Sequence, residues 1–379
     1  MTSTSPLFQP LKVRSLELAN RIVMSPMTRS YSIDGIPGDD VAGYYRRRAE
    51  GGTGLIVTEG VAIEHPTAVD NSRVPHMFGE QALAGWRKVV DGVHEAGGKI
   101  IPQLWHVGPL WGAMSKVDPA LEPMRPSGEW GPLGTTSYPE SYTSWVQEPT
   151  EAMTEQDIQD VIAAFARAAR NAIDAGFDGV ALHGGHGYLL DSFLWAGTNK
   201  RDDEWGGDLE RRTRFPVAVV RAIRAEIGED YPIFYRFSQH KQQNYTARIA
   251  ETPEELKVVL GALVDAGVDV LDASIRRFDI PAFEGSDLSL AGWAKEVTGA
   301  ITMAVGSVGI GKSLRDSRIE GSAPVVDNIP ELEKRIGGGE FDLIAIGRLH
   351  LADPALASRL RAGEALPEFV RDVHEGSLT

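Results

Sequence analysis

Eight short apolar runs, each followed by a helical pattern, predict a (β/α)8 TIM barrel spanning the 379-residue chain as a single domain. Two further observations point the same way. The alternation resumes after every interruption, so nothing reads as an interdomain linker. The glycines and chemically active side chains also recur just past the apolar runs, where a barrel of parallel strands keeps its chemistry. Alternation alone would fit an open doubly wound sheet as well, but no early G-x-G-x-x-G lies between a strand and a helix.

The expected strands are 21–24, 54–58, 99–104, 179–182, 233–237, 268–272, 301–306 and 343–347. They are short, rich in Val, Ile and Leu, and lack polar alternation, as strands buried on both faces do. Helical patterns occupy 41–50, 81–96, 154–175, 209–227, 253–266, 291–297, 330–336 and 354–360. Thr154 precedes acids in a first turn, and Thr252-Pro253 supplies a cap followed by proline. The Ala-Gly pairs at Ala175-Gly176 and Ala266-Gly267 read as helix ends turning into strands. Two segments break the rhythm. Residues 106–149, after the third strand, are rich in Gly, Pro, Trp and Ser and read as an active-site excursion or lid. Residues 309–328, after the seventh, read as an extended polar loop.

A hydrophobic fraction of 42% is enough for a sizeable core, and a net charge of −15 argues against nonspecific binding to nucleic acid or anionic membranes. The absence of cysteine removes disulfides, thiolate nucleophiles, cysteine-ligated zinc and cysteine-held iron–sulfur clusters. The opening MTSTSPLFQP has neither a basic segment nor an apolar core, and no apolar run reaches membrane-spanning length; a cytoplasmic enzyme is expected.

Chemistry collects past the strands. Pro26, Met27 and Thr28 follow the first, Glu59 and Gly60 the second, and Gln103, Trp105 and His106 lie at the third. The fourth leads into His183, His186 and Tyr188, interleaved with Gly184, Gly185 and Gly187. Two imidazoles and a phenol on one glycine-rich loop are a concentration of proton donors and acceptors that packing alone does not ask for. Arg236 ends the fifth strand, Gly306-Ser307 the seventh and Gly347-Arg348 the eighth. Glycine loops after strands seven and eight are the common phosphate site of this fold, and Arg348 would add a charged contact; the plainer alternative is that both glycines merely end strands. No metal site is persuasive: His183 and His186 lack an obvious acidic partner, and Asp191 is expected on a helix facing solvent or a neighbouring Arg. No G-x-S-x-G supports a serine nucleophile.

The chain resembles the Old Yellow Enzyme family of NADH:flavin oxidoreductases, the FMN-dependent ene-reductases. The resemblance runs from Leu7-Phe8 and Leu18–Thr28 through Gln103-Leu-x-His106-x-Gly108 to Ala345–Arg348. Its most specific part is His183-x-x-His186-Gly-Tyr188-Leu, followed by Asn199-x-Arg201-x-Asp203-x-Trp205-Gly-Gly207 and Arg212-x-Arg214-Phe215. The resemblance implies noncovalent FMN at the carboxyl face of the barrel. Pro26, Met27, Thr28, Gly60 and Gln103 would lie along the flavin ring, with Arg236 near its pyrimidine side. Gly306, Ser307, Gly347 and Arg348 would hold the phosphate. His183 and His186 would bind the substrate's carbonyl or nitro oxygen, and Tyr188 would supply a proton.

The expected activity is an NAD(P)H-dependent ene-reductase acting on α,β-unsaturated carbonyls, with nitro compounds as a second substrate class. The expected partners are small molecules only, with neither nucleic acid nor membrane, and the protein is expected as a monomer or homodimer. The alternatives are a flavin dehydrogenase oxidising an amine or ring carbon, and a flavin- or ligand-binding barrel without turnover. Departures from the family pattern are Pro109 after Gly108, where Arg is frequent, and the run Ser238–Asn244 where Ser-Pro is common. That run has no expected role beyond shaping the pocket rim. Thr28 stands where one branch of the family has cysteine.

Overall fold

The computed structural model describes residues 5–113, 118, 120–136, 148–312 and 323–379. Parts of the expected excursion at 106–149 and of the loop at 309–328 lie outside these residues. Ten strands are described. Two form a small antiparallel hairpin, β1 (Leu11–Val13) and β2 (Leu16–Leu18). The other eight are β3 (Ile22–Met24), β4 (Leu55–Ala62), β5 (Ile100–Trp105), β6 (Val180–His183), β7 (Ile233–Phe237), β8 (Val270–Ser274), β9 (Ile301–Val305) and β10 (Leu343–Ile346). They pair in parallel, each with the next, and β10 closes on β3 to complete a barrel. The eight expected strands are these eight, and the open-sheet alternative falls.

Strand side chains alternate between two apolar environments. One set faces the lumen: Val23, Leu55, Val57, Ile101, Ala181, Phe234, Val270, Met303, Leu343 and Ala345 form one buried cluster. The other set, including Ile22, Ile56, Leu182, Tyr235, Leu271 and Ile344, packs against the surrounding helices. Apolar residues on both faces are why the strands read as continuous hydrophobic runs. Val13, Leu16 and Leu18 of the hairpin join the lumen cluster, so the hairpin plugs the amino-terminal end of the barrel.

The helices begin where capping chemistry places them. Thr154 and Asp157 form a reciprocal capping box at the head of the helix Glu155–Asp174, and Thr252 caps Pro253–Ala266. Three details differ from expectation. The helix expected over 209–227 is two, Leu209–Arg212 and Arg214–Ile227. Pro216 has no N–H for the Arg212 carbonyl, and Thr213 Oγ1 donates instead to the Glu210 carbonyl at 2.6 Å. The second barrel strand runs on to Ala62 past a register shift between Val57 and Gly60, so Glu59 and Gly60 sit within β4 rather than after it. Three short helices lie outside the expected helical patterns: Leu189–Leu194, although Asp191 is expected on a helix, Arg348–Ala352 and Arg371–His374.

Candidate active site

The lumen changes character toward the carboxyl ends of the strands. Two residues beyond the apolar layer, on the same inward-facing phase, Val23 gives way to Ser25, Ile101 to Gln103, Ala181 to His183, Phe234 to Arg236 and Val270 to Asp272. A ring of polar side chains therefore caps a hydrophobic plug. Arg236 is 5% exposed and donates from Nε to Asp272 Oδ2 at 2.6 Å and from Nη2 to Ser25 Oγ at 3.2 Å. Asp272 thus aims the guanidinium across the barrel mouth. Gln103 Nε2 and His183 Nδ1 are buried without a hydrogen-bond partner among the described residues. Leaving such groups unmatched costs about 1–3 kcal/mol each, so the top of the lumen is built for a polar ligand.

His183 ends β6, and the turn after it brings the three proton-active side chains together. The His183 ring centroid lies 5.1 Å from His186 and 4.6 Å from Tyr188, both edge-on. Trp105, at the end of β5, meets the Tyr188 ring edge-on at 5.0 Å. Burial, with Arg236 nearby, holds the His183 imidazole well below its ordinary pKa; burial, with His240 nearby, does the same for His186. Both are therefore neutral at pH 7, each with one N–H to donate. His186 Nε2 shares a hydrogen bond with Ser274 Oγ at 2.8 Å.

The remaining expected residues gather in two places. Pro26 and Met27 are half-buried and Thr28 exposed on the loop after β3. That loop is tied down by Glu59, whose Oε2 accepts the backbone N–H of Arg29 at 2.8 Å and of Ser30 at 3.0 Å. Burial raises the Glu59 carboxyl from its ordinary 4.5 to about 7, against the opposing pull of those two N–H groups. Ser307 and Arg348 meet directly: Arg348 Nη2 donates to Ser307 Oγ at 3.2 Å and to the Lys312 carbonyl at 2.8 Å. Gly347 borders the sulfur of Met27, joining this corner to the β3 loop. Two glycines have reasons of their own. A Cβ on Gly60 would come within 2.3 Å of the Trp105 ring, and one on Gly306 within 2.4 Å of the Ile275 carbonyl.

The expectation for Asp191 is wrong. It is fully buried, its Oδ1 accepting from Lys241 Nζ at 2.7 Å and its Oδ2 from the Gly187 N–H at 2.6 Å. Lys241 is equally buried. The run Ser238–Asn244 therefore does more than shape a rim. Ser238 Oγ accepts the His186 N–H at 2.8 Å, and the His240 ring lies 5.0 Å from His186 and 5.5 Å from Tyr245. Arg276 lies over the Tyr245 ring, 4.3 Å from its centre, while its carbonyl accepts from Ser307 Oγ. Asp272, Ser274 and Arg276 are not among the expected site residues, and His240 and Lys241 are expected only as part of the run that shapes the rim. Asp272 and Ser274 carry a signal that was available, since both continue the inward phase of an expected strand. Lys241 carries none.

These residues fit a flavin mononucleotide. An amide nitrogen and an imidazole nitrogen buried without partners among the described residues, a guanidinium aimed by a carboxylate, and a Ser–Arg corner after the last two strands are the donor set that a ring system with a phosphate needs.

A family model described as the NADH:flavin oxidoreductase / NADH oxidase family matches residues 6–366. The chain is 33% identical over 371 residues to an NADH oxidase of Thermoanaerobacter brockii, covering 96% of this chain and 52% of that protein, about half its length. It is 33% identical over 372 residues to a putative 12-oxophytodienoate reductase 2 of Oryza sativa subsp. japonica, covering 97% and 89%. The structure of morphinone reductase in complex with tetrahydroNAD superposes with a TM-score of 0.76 at 29% identity, covering 96% of this chain and 92% of that one.

Proposed function

The chain belongs to the NADH:flavin oxidoreductase / NADH oxidase family; on that footing we propose that it is an FMN-dependent oxidoreductase of the Old Yellow Enzyme type that reduces activated alkenes conjugated to a carbonyl or nitro group, with NAD(P)H as reductant. The observation that carries this reading is the neutral imidazole pair of His183 and His186 with the Tyr188 phenol beside it, above a polar ring in which Gln103 Nε2 has no hydrogen-bond partner among the described residues.

Pro26, Met27, Thr28, Gly60, Gln103 and Arg236 would hold the flavin ring, and Gly306, Ser307, Gly347 and Arg348 its phosphate. A bound FMN would supply the hydride chemistry, from the nicotinamide to the β-carbon of the alkene. The protein's own part is orientation and electrostatics. His183 and His186 each donate an N–H to the substrate oxygen, where negative charge grows as the alkene is reduced. Because both rings are neutral, they stabilise that charge without giving up a full proton, so the oxygen is not protonated prematurely. Tyr188 then gives its phenolic proton to the α-carbon, which its place beside His183 supports. Asp272 keeps Arg236 from swinging away.

Anaerobic titration tests the reading. Purified protein should carry about one FMN per barrel mouth, be bleached by NADH or NADPH, and be reoxidised by a small enone. Protein that stays colourless with added FMN, or reduced protein that no enone reoxidises, would refute it.

A further inference from the structure

We infer that Asp191 is a positioning residue for substrate binding: its carboxylate sets the turn that aims His186, and Lys241 is the partner that lets a carboxylate reside there. The inference rests on the proposed role of His186 as an anchor for the substrate oxygen.

The turn needs outside support. His186 has φ +64°, in the left-handed region that a side chain bearing a Cβ rarely enters. Its neighbour Gly187 continues there at φ +83°. Nothing in a His-Gly sequence fixes two successive residues in this conformation, so the fixing must come from elsewhere. Four contacts supply it. Ser238 Oγ accepts the His186 N–H at 2.8 Å. The His186 carbonyl accepts the Gln242 N–H at 3.0 Å. Asp191 Oδ2 accepts the Gly187 N–H at 2.6 Å, and Asp191 Oδ1 accepts from Lys241 Nζ at 2.7 Å. The loop after β7 is thus tied to the loop after β6 on both sides of one peptide, the one joining His186 to Gly187.

Of the four, the carboxylate contact is the one that reaches into the interior. Asp191 and Lys241 have no exposed side-chain surface. Burying two opposite charges is a poor route to stability, because their desolvation offsets most of their attraction. What such a pair supplies is geometry. The Asp191 oxygen that accepts the Gly187 N–H keeps that peptide from flipping, and Lys241 satisfies the other oxygen, which would otherwise be a buried, unpaired charge. Asp191 also sits in the first turn of the helix Leu189–Leu194, packed in the core, which gives it a rigid base. A ring at position 186 displaced by an ångström no longer points its N–H at the oxygen that His183 shares.

Two charge-neutral double variants isolate the contact. Asp191→Asn with Lys241→Met keeps an oxygen able to accept the Gly187 N–H and removes both charges. Asp191→Leu with Lys241→Met removes charges and acceptor together, filling the space with apolar side chains. Both replacements avoid an unpaired buried charge, the usual cause of unfolding in single variants. The probe is phenol, whose oxygen mimics the reduced substrate, titrated against the flavin absorption of FMN-loaded protein, with FMN retention measured in parallel. The Asn–Met variant should bind phenol within about threefold of the parent, and the Leu–Met variant at least about tenfold more weakly, with FMN retention alike in both. Equal phenol affinities in the two variants, or a loss of FMN that tracks the loss of phenol, would overturn the inference. The anchor reading is judged separately by His186→Ala. If that variant binds phenol as the parent does, the functional reading fails and this inference falls with its premise. If it is impaired while the two double variants are equal, the inference alone fails.

Discussion

Replacing Glu59 by Gln should change how the stability of this protein depends on pH. Glu59 is 1% exposed, and its Oε2 holds the backbone of Arg29 and Ser30, the continuation of the loop that carries Pro26, Met27 and Thr28. Burial raises its carboxyl from 4.5 to about 7. Between those limits the folded state holds a proton that the unfolded chain has released. Its contribution is therefore fully present below the unfolded value and is lost as pH rises through about 7, flat thereafter. The size is about 3 kcal/mol across the window, from about 1.4 kcal/mol for each pH unit separating the two states. Glutamine has the same shape, keeps an oxygen for both N–H groups and never ionises. Urea unfolding of parent and Glu59→Gln, stepped through this window, should show the variant gaining on the parent by about 3 kcal/mol and holding that lead at higher pH. Parallel stability profiles would refute the reasoning and mean that Glu59 is solvated or already ionised at acid pH.

Tyr188→Phe should leave flavin reduction by NAD(P)H nearly unchanged and slow reoxidation by an enone about 10²–10⁴-fold, the range for one positioned acid; equal stopped-flow reoxidation would remove Tyr188 as the proton donor. A nitroalkene provides the control, since its reduced nitronate can leave before carbon protonation, and the variant should consume it at close to the parent rate. His183→Ala should weaken phenol binding and slow enone turnover together, and an unaltered phenol titration would mean that His183 points elsewhere. Arg348→Ala should weaken FMN retention by about 1.5–3 kcal/mol, the worth of one charged hydrogen bond; undiminished affinity in equilibrium dialysis would take Arg348 out of the phosphate corner.

The barrel was legible because its strands are buried twice over. Runs such as Leu-Ile-Val-Thr at 55–58 and Ile-Phe-Tyr at 233–235 have no solvent face to write polar alternation into the sequence. What could not be read were the short elements and the partnerships. The helix Leu189–Leu194 is six residues, too few to repeat a period, so the sequence does not show that Asp191 lies on its buried side. Its partner Lys241 lies fifty residues on in a polar run that reads like any solvated loop. Buried ion pairs between distant loops leave no local trace; only the fold makes them neighbours. The His183–His186–Tyr188 cluster was legible for the opposite reason, since the whole arrangement sits within six residues.

The lumen's change from apolar plug to polar ring within two residues has a consequence for insertions and deletions. Phe234 and Arg236 share one face of β7 only because one residue separates them. A single residue gained or lost between them would turn Arg236 outward among the helices and bring Tyr235 or Phe237 into the mouth of the barrel. The same arithmetic applies to Ile101 and Gln103, to Ala181 and His183, and to Val270 and Asp272. Length variation inside these strands is therefore closed to this protein at four separate places. Beyond the strand ends it is open, and substrate range can change there, by lengthening or shortening loops such as the one after β7, without disturbing the ring beneath.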